Sequence, residues 1–227
     1  MRHELKYILT PVQYRVLKDR IKWVLDKDPH AGENGEYAIR SIYFDTRDYN
    51  ALSEKTDGVD RRKKYRIRFY NQNAERCTLE CKEKKGTRIN KISEKLTGEE
   101  VNILLDTKEV LAEGRLSSEM AILLKQNGFV PVVTVDYVRE AYIYPVSNVR
   151  ITFDKQLSGL PVEGALEAPL GFPNIMGENV ILEVKYDEVL PAHISDLIGS
   201  VRPVQTAASK YVMCLEHEFI RQGRMSG

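Results

Sequence analysis

Lys64-Tyr65-Arg66-Ile67-Arg68-Phe69-Tyr70 decides how the rest of this chain is read. Successive side chains of a strand point to opposite faces. The stretch therefore puts Lys64, Arg66 and Arg68 on one face, and Tyr65, Ile67 and Phe69 on the other. The same alternation recurs in Glu4-Leu5-Lys6-Tyr7, Leu79-Glu80-Cys81-Lys82, Val149-Arg150-Ile151-Thr152-Phe153-Asp154 and Leu182-Glu183-Val184-Lys185-Tyr186. One face of the sheet is ionic, and the other is aromatic and aliphatic and has to be covered by helices. For a single strand, the ordinary meaning of alternating charge is a solvated face, with cross-strand Arg–Glu pairs worth under ~1 kcal/mol each. The recurrence of the habit favours a different arrangement, in which the ionic face lines a closed barrel. An interior that collected so many cations without a ligand would suffer repulsion and desolvation costing several kcal/mol per unpaired ion. Such an interior is either wide and hydrated or holds an anion, and a few carboxylates among the cations suit a divalent metal.

Composition bounds this reading. The 227 residues fit one domain, 1–227, with room for a substantial core, and hydrophobic (42%) and charged (30%) shares are those of a folded globular chain with a high ionic content. The formal net charge is only +1, so anion binding must come from local sorting of charge, and bulk attraction to nucleic acid is not expected. Cys77, Cys81 and Cys214 form no CxxC pair and read as small buried hydrophobes of a reducing compartment. The start does not resemble a signal peptide, and no apolar run approaches the ~20 residues that span a bilayer. A cytoplasmic location without a membrane anchor is the expectation.

Along the chain, a strand over Arg2–Leu9 leads into Thr10-Pro11, an N-cap followed by proline at the first helical position. A helix then runs to about Leu25, with Trp23 expected to pack against the barrel. Strands follow at Tyr37–Asp45, Lys63–Tyr70, Arg76–Lys84 and Gly86–Leu96, with a short helix at Asn50–Lys55. Thr97-Gly98-Glu99-Glu100 has the spacing of a capping box, so a helix follows through Leu105. A second helix, Ser117–Gln126, ends at Asn127-Gly128, residues suited to a left-handed C-cap. Pro131–Tyr144 and Ser147–Gln156 form a hairpin, Val180–Tyr186 is a last strand, and Ala192–Ser200 and Ser209–Gln222 are helices. The class is α+β: an eight-stranded antiparallel β-barrel with helices packed outside.

The usual catalytic motifs are missing. There is no GxxxxGK, GxGxxG, HExxH, GxSxG or CxxC, and His3, His30, His193 and His217 have no metal-ligand spacing. What remains is arginine, lysine and carboxylate on alternating positions. Arg66 and Arg68 lie ~7 Å apart along their strand, close to the spacing of successive phosphates in an extended chain. The guanidinium fork donates two hydrogen bonds to a phosphate and stays charged. Lys6, Lys82, Lys91, Arg139, Arg150, Lys185 and Lys210 are placed to extend the lining. Glu80 and Glu183 are the candidate ligands for Mg²⁺ or Mn²⁺, which prefer carboxylate oxygen and are often bound jointly with substrate phosphates.

Taken together in order and spacing, Arg2-His3-Glu4-Leu5-Lys6-Tyr7, Ser41-Ile42-Tyr43-Phe44-Asp45, Arg66-Ile67-Arg68-Phe69, Leu79-Glu80-Cys81-Lys82, Tyr137-Val138-Arg139, Val149 to Asp154, Leu182-Glu183-Val184-Lys185 and Ser209-Lys210-Tyr211 give the chain a family likeness. It resembles the VTC-type polyphosphate polymerase domain of the triphosphate tunnel metalloenzyme (CYTH-like) superfamily. The resemblance implies an eight-stranded antiparallel tunnel that binds triphosphate or polyphosphate with a divalent metal. It implies that Lys6, Arg66, Arg68, Lys82, Arg139, Arg150 and Lys210 bind phosphates, with Tyr137 and Ser209 as hydrogen-bond donors, Lys91 and Lys185 as further lining, and Glu183 as metal ligand. Hydrolases and cyclases of that superfamily open on ExExK, whereas here the motif reads Arg2-x-Glu4-x-Lys6. The lost carboxylate weakens the case for a second, water-activating metal. The activity implied is therefore phosphotransfer from ATP to a growing polyphosphate chain. The alternatives are a metal-dependent triphosphatase and a non-catalytic polyphosphate-binding module. The eukaryotic members' inositol-phosphate-sensing domain and membrane anchor are not found in this sequence.

Overall fold

A computed structural model describes residues 2–32, 34–86, 88–106, 116–169 and 174–224. Its elements, in chain order, are β1 (Arg2–Leu9), α1 (Pro11–Ile21), β2 (Asp26–Lys27), β3 (Glu36–Asp45), α2 (Asn50–Thr56), β4 (Arg61–Tyr70), β5 (Cys77–Lys85) and β6 (Arg88–Leu96). They continue with α3 (Gly98–Leu105), α4 (Glu119–Gln126), β7 (Val130–Tyr144), β8 (Val149–Leu160), β9 (Val180–Asp187), α5 (Ala192–Gly199), β10 (Val204–Gln205) and α6 (Lys210–Arg221). The class is α+β, and β1 pairs antiparallel with β10 and β9, β9 with β8, β2 with β7, β3 with β4, β4 with β5 and β5 with β6. Among the described residues the expected eight strands are ten, and the hydrogen-bonded path runs from β10 at one end to β6 at the other, so the expected closed barrel is not seen there. The sequence reading missed β2 and β10, each of two residues, which exist because β7 and β1 offer them a ladder.

The chain divides into two compact units. The first comprises Met1–Ala38, Tyr137–Ser158 and Asn174–Lys210; the second comprises Ile39–Asp136, Gly159–Pro173 and Tyr211–Gly227. In the first unit, β1 lies between β10 and β9, and β8 follows β9. The apolar faces of these strands meet α1 and α5: Leu9, Ile151, Phe153, Leu182 and Val184 pack with Leu17, Ile21, Ile194 and Ile198. Thr10 starts α1 as expected, its hydroxyl accepting from the Gln13 N–H while the Gln13 side chain accepts from Thr10. The helix ends at Ile21, earlier than its apolar spacing suggests, and Trp23 is a correction: it lies beyond the helix, 83% exposed, instead of packed.

In the second unit, β3, β4, β5 and β6 follow one another as antiparallel neighbours. Ile42, Phe44, Ile67, Phe69, Leu79 and Cys81 form a core with Val101 and Leu104 of α3 and with Met120 and Leu124 of α4. Both bonds of the capping box are present at the start of α3. Glu100 does more than the motif requires, since its other oxygen accepts from the Ser117 and Ser118 N–H groups, which lead into α4. Gly128 takes the left-handed conformation after α4, at φ +70°. At Gly159 in β8, a Cβ would lie 2.8 Å from the Cys214 carbonyl oxygen of α6, so only glycine permits this approach.

Arg40 shows how misleading charge can be. It is fully buried, on the same parity of β3 as Ile42 and Phe44. Its Nε and Nη2 donate to the two Asp136 carboxylate oxygens at 2.7 and 2.5 Å, and its other donors reach the carbonyls of Ala165, Ala168 and Pro169 at 2.7 to 2.8 Å. All five guanidinium N–H donors are thereby engaged, and the residue is a structural clamp.

Candidate functional site

Each unit carries an ionic cluster built on the alternation that opens the sequence. In the first unit, the ladders place Lys6 of β1 and Thr152 of β8 on either side of Glu183 of β9, and Glu4 and Arg150 on either side of Lys185. Lys210, the first residue of α6, brings its ammonium to Glu183 Oε1 at 2.8 Å and to Asp154 Oδ2 at 2.5 Å. Arg139 donates in a fork to Asp154 at 2.6 and 2.7 Å and reaches Glu183 Oε2 at 3.3 Å. Lys6 and Lys185 each stand 3.4 Å from Glu183, and they also contact Glu4 at 3.5 and 3.8 Å. Four cations thus share three carboxylates, Glu4, Asp154 and Glu183. Tyr137 underlies the group, with Arg139 and Lys210 at 5.3 and 5.0 Å from its ring centre.

The electrostatics follow from this crowding. Burial pushes the Glu183 carboxyl up, but the Lys210 ammonium, followed by Lys6, Lys185 and Arg139, outweighs burial and holds it well below the ordinary range. Burial likewise opposes the charged form of Lys210, yet Asp154 and Glu183 raise its pKa above the usual lysine value. These groups stay ionised because they neutralise one another.

In the second unit, Arg66 donates from Nε to Glu80 at 2.7 Å, and its Nη1 donates to the Tyr43 hydroxyl at 2.9 Å. Arg68 donates to Ser41 at 3.2 Å and stands 3.9 Å from Glu80, whose other oxygen takes Lys91 at 2.5 Å. Burial raises the Glu80 pKa, but Arg66, Arg68 and Lys91 overcome that effect and bring it down to about 2. The register carries the pattern further. Lys64, Lys82 and Lys91 lie opposite one another in turn, as do Arg62 and Lys84, while Thr78 stands between Arg68 and Lys95. The shared face of β4, β5 and β6 therefore carries eight cationic positions, Arg62, Lys64, Arg66, Arg68, Lys82, Lys84, Lys91 and Lys95, and one carboxylate, Glu80.

The structure thus gathers Lys6, Arg139, Lys185 and Lys210 over Tyr137 in the first unit, and Arg66, Arg68 and Lys91 around Glu80 in the second, with Lys82 in the adjoining row. Ser209 immediately precedes Lys210 and is half-buried. Arg150 is engaged elsewhere: its Nη2 pairs with buried Asp28 at 2.5 Å and donates to the Tyr37 hydroxyl at 2.9 Å. Sequence reasoning missed Asp28, Asp154 and Tyr43. Only the parity of Asp154 with Arg150, and of Tyr43 with Asp45, signalled their faces. Glu183 and Glu80, expected as metal ligands, are held by cations. Among the described residues no group of three or more His, Cys, Asp or Glu side chains is arranged to hold a metal ion. As they stand, these carboxylates do not fit a divalent cation, and the groups available to phosphate are guanidinium, ammonium and hydroxyl.

A family model, the VTC domain, matches residues 1–219. The chain belongs to the VTC domain family. No curated protein matches this VTC domain. Among solved structures, the PH1819 protein of Pyrococcus horikoshii OT3 aligns with a TM-score of 0.52 at 15% identity, over 96% of this chain and 99% of that one. A Bacillus halodurans protein described as a "putative adenylate cyclase" aligns with a TM-score of 0.54 at 14% identity, over 91% and 92%. At such identities, the likeness of the VTC domain to both is one of fold. No helix among its described residues is long and apolar enough to cross a membrane.

Proposed function

We propose that this VTC domain is a phosphotransferase that moves the γ-phosphoryl group of ATP to the end of a polyphosphate chain. The observation that carries the reading is the excess of positive charge on the shared face of β4 to β6, eight cationic positions against one carboxylate. Such a face suits a ligand with closely spaced negative charges. Arg66 and Arg68 supply planar forks for phosphate oxygens, and each is already oriented by a hydroxyl, of Tyr43 and Ser41 respectively. In the first unit, Arg139 and Lys210 lie over Tyr137, and Lys6 and Lys185 contact Glu183 at 3.4 Å, an ion pair that a phosphate oxygen can replace. Preplaced cations of this kind neutralise charge that spreads over phosphoryl oxygens during transfer. A terminal phosphate is already an anionic nucleophile, so the reaction needs no protein base. A divalent cation enters, in this reading, as the complex of Mg²⁺ or Mn²⁺ with the nucleotide.

The test is incubation of the purified chain with ATP and Mn²⁺ or Mg²⁺, followed by resolution of long-chain polyphosphate from free phosphate. Chain product supports the proposal. Free phosphate alone identifies a triphosphatase, and tight polyphosphate binding without ATP turnover identifies a binding module.

A further inference from the structure

Four buried side-chain polar atoms among the described residues have no hydrogen-bond partner, and two of them, Arg150 Nε and Thr152 Oγ1, belong to the same face of β8. Orphaned buried groups are uncommon, and each one calls for a cause. Thr152 is the more telling, since the whole residue is only 2% exposed. By register it faces Glu183, with Lys185 diagonally adjacent, and along its own strand it stands between Arg150 and Asp154. A hydroxyl set among two carboxylates and two cations bonds to none of them. The Asp154 oxygens are taken by Arg139 and Lys210, and the Glu183 oxygens by Lys210, Lys6, Arg139 and Lys185. The neighbouring acceptors are committed to stronger, charge-assisted partners, and the hydroxyl is left over.

A valine, nearly the same shape, would occupy this position without an unsatisfied group. From the pairing of two orphaned donors on one strand beside a cationic cluster, we propose that Thr152 is a further phosphate-binding residue, its hydroxyl donating to an oxygen of an anion seated among Lys6, Lys185 and Arg150. The inference rests on the polyanion reading of the previous section. It adds to that reading the residue that discriminates a bound phosphate oxygen from an empty cluster. The hydroxyl is closed to solvent in this arrangement, so the anion reaches it only by displacing neighbouring side chains.

The experiment uses the whole chain and sodium tripolyphosphate without metal. Binding is followed by titration calorimetry and the unliganded protein by thermal unfolding, for wild type, Thr152→Val, Thr152→Ser and Thr152→Ala. Loss of one hydrogen bond to a charged oxygen weakens binding by about tenfold. Thr152→Val is therefore expected to bind about tenfold more weakly, while unfolding at the same temperature as wild type or higher, and Thr152→Ser to bind as wild type does. A Thr152→Val protein that binds tripolyphosphate like wild type overturns the assignment while leaving the polyanion reading intact. If wild type itself binds no tripolyphosphate, both fail together. Should Thr152→Val not fold, the comparison of Thr152→Ser with Thr152→Ala decides: equal affinities overturn the proposal, and a roughly tenfold gap supports it.

Discussion

Replacing Glu183 by glutamine removes the charge on which four cations converge, at 2.8 Å from Lys210, 3.3 Å from Arg139 and 3.4 Å from Lys6 and Lys185. At an effective dielectric of about 20, each contact is worth roughly 5 to 6 kcal/mol before any offset. Desolvation of buried ions takes back several kcal/mol each, and the cations repel one another, so the net cost of deleting one partner of such a group is about 3 to 5 kcal/mol. For a chain of this size each kcal/mol lowers the unfolding midpoint by about 2 to 4 °C. Glu183→Gln is thus expected to unfold at least roughly 6 °C below wild type. The same change removes one of the two carboxylates that Lys6 and Lys185 each contact, so tripolyphosphate should raise the midpoint of Glu183→Gln by more than it raises that of wild type. Scanning calorimetry of both proteins, with and without tripolyphosphate, measures all four midpoints. If Glu183→Gln unfolds within 2 °C of wild type and the ligand shifts both equally, the carboxylate is not the counter-ion of the cluster and the reasoning fails.

Other outcomes follow from the same geometry. Glu80 titrates at about 2, below its ordinary value of 4.5, so the stability it contributes is present above pH 4.5 and is lost as the pH falls toward 2. Unfolding midpoints measured between neutral pH and pH 3 should therefore decline on acidification more steeply for wild type than for Glu80→Gln. The double change Arg66→Ala with Arg68→Ala removes both guanidinium forks from β4 and is expected to abolish polyphosphate synthesis from ATP, with circular dichroism showing the strands retained. Arg40→Lys replaces five engaged donors by three, so denaturant titration should show a loss of about 3 kcal/mol, with tripolyphosphate affinity of the folded protein unchanged.

What was legible in the sequence was what depends on neighbours along the chain. The alternation over residues 64–70 identified β4 and the parity of its cations, and Thr97 with Glu100 announced the start of α3 through a local pair of bonds. What was illegible depends on distant partners. Arg40 looks like another cation of a strand, and only Asp136, 96 residues away, makes it a clamp. Arg150 has the right parity for the cluster, yet its Nη2 goes to Asp28, in a short loop with no signal of its own, and to the Tyr37 hydroxyl. Trp23 falls within the helix expected to run to about Leu25, but α1 stops two residues before it. Whether strands close into a ring is likewise set by the two end strands and not by any local pattern, and here β10 and β6 end the path. Thr152 carries no signal within its motif, because a hydroxyl without a partner is visible only once every neighbour's commitments are known.

Gly159 fixes how near α6 can come to β8, since even a methyl group there would overlap the backbone at Cys214. The same helix carries Tyr211, whose hydroxyl donates to Asp45 at 2.5 Å and whose ring lies under the Lys64 ammonium at 5.0 Å. A hydrogen atom in place of a side chain thus acts as a spacer of minimum thickness. A family member with alanine at this point has to seat the helix farther out, carry Tyr211 away from Asp45, and give up the aromatic support beneath one of the lysines that open the cationic face.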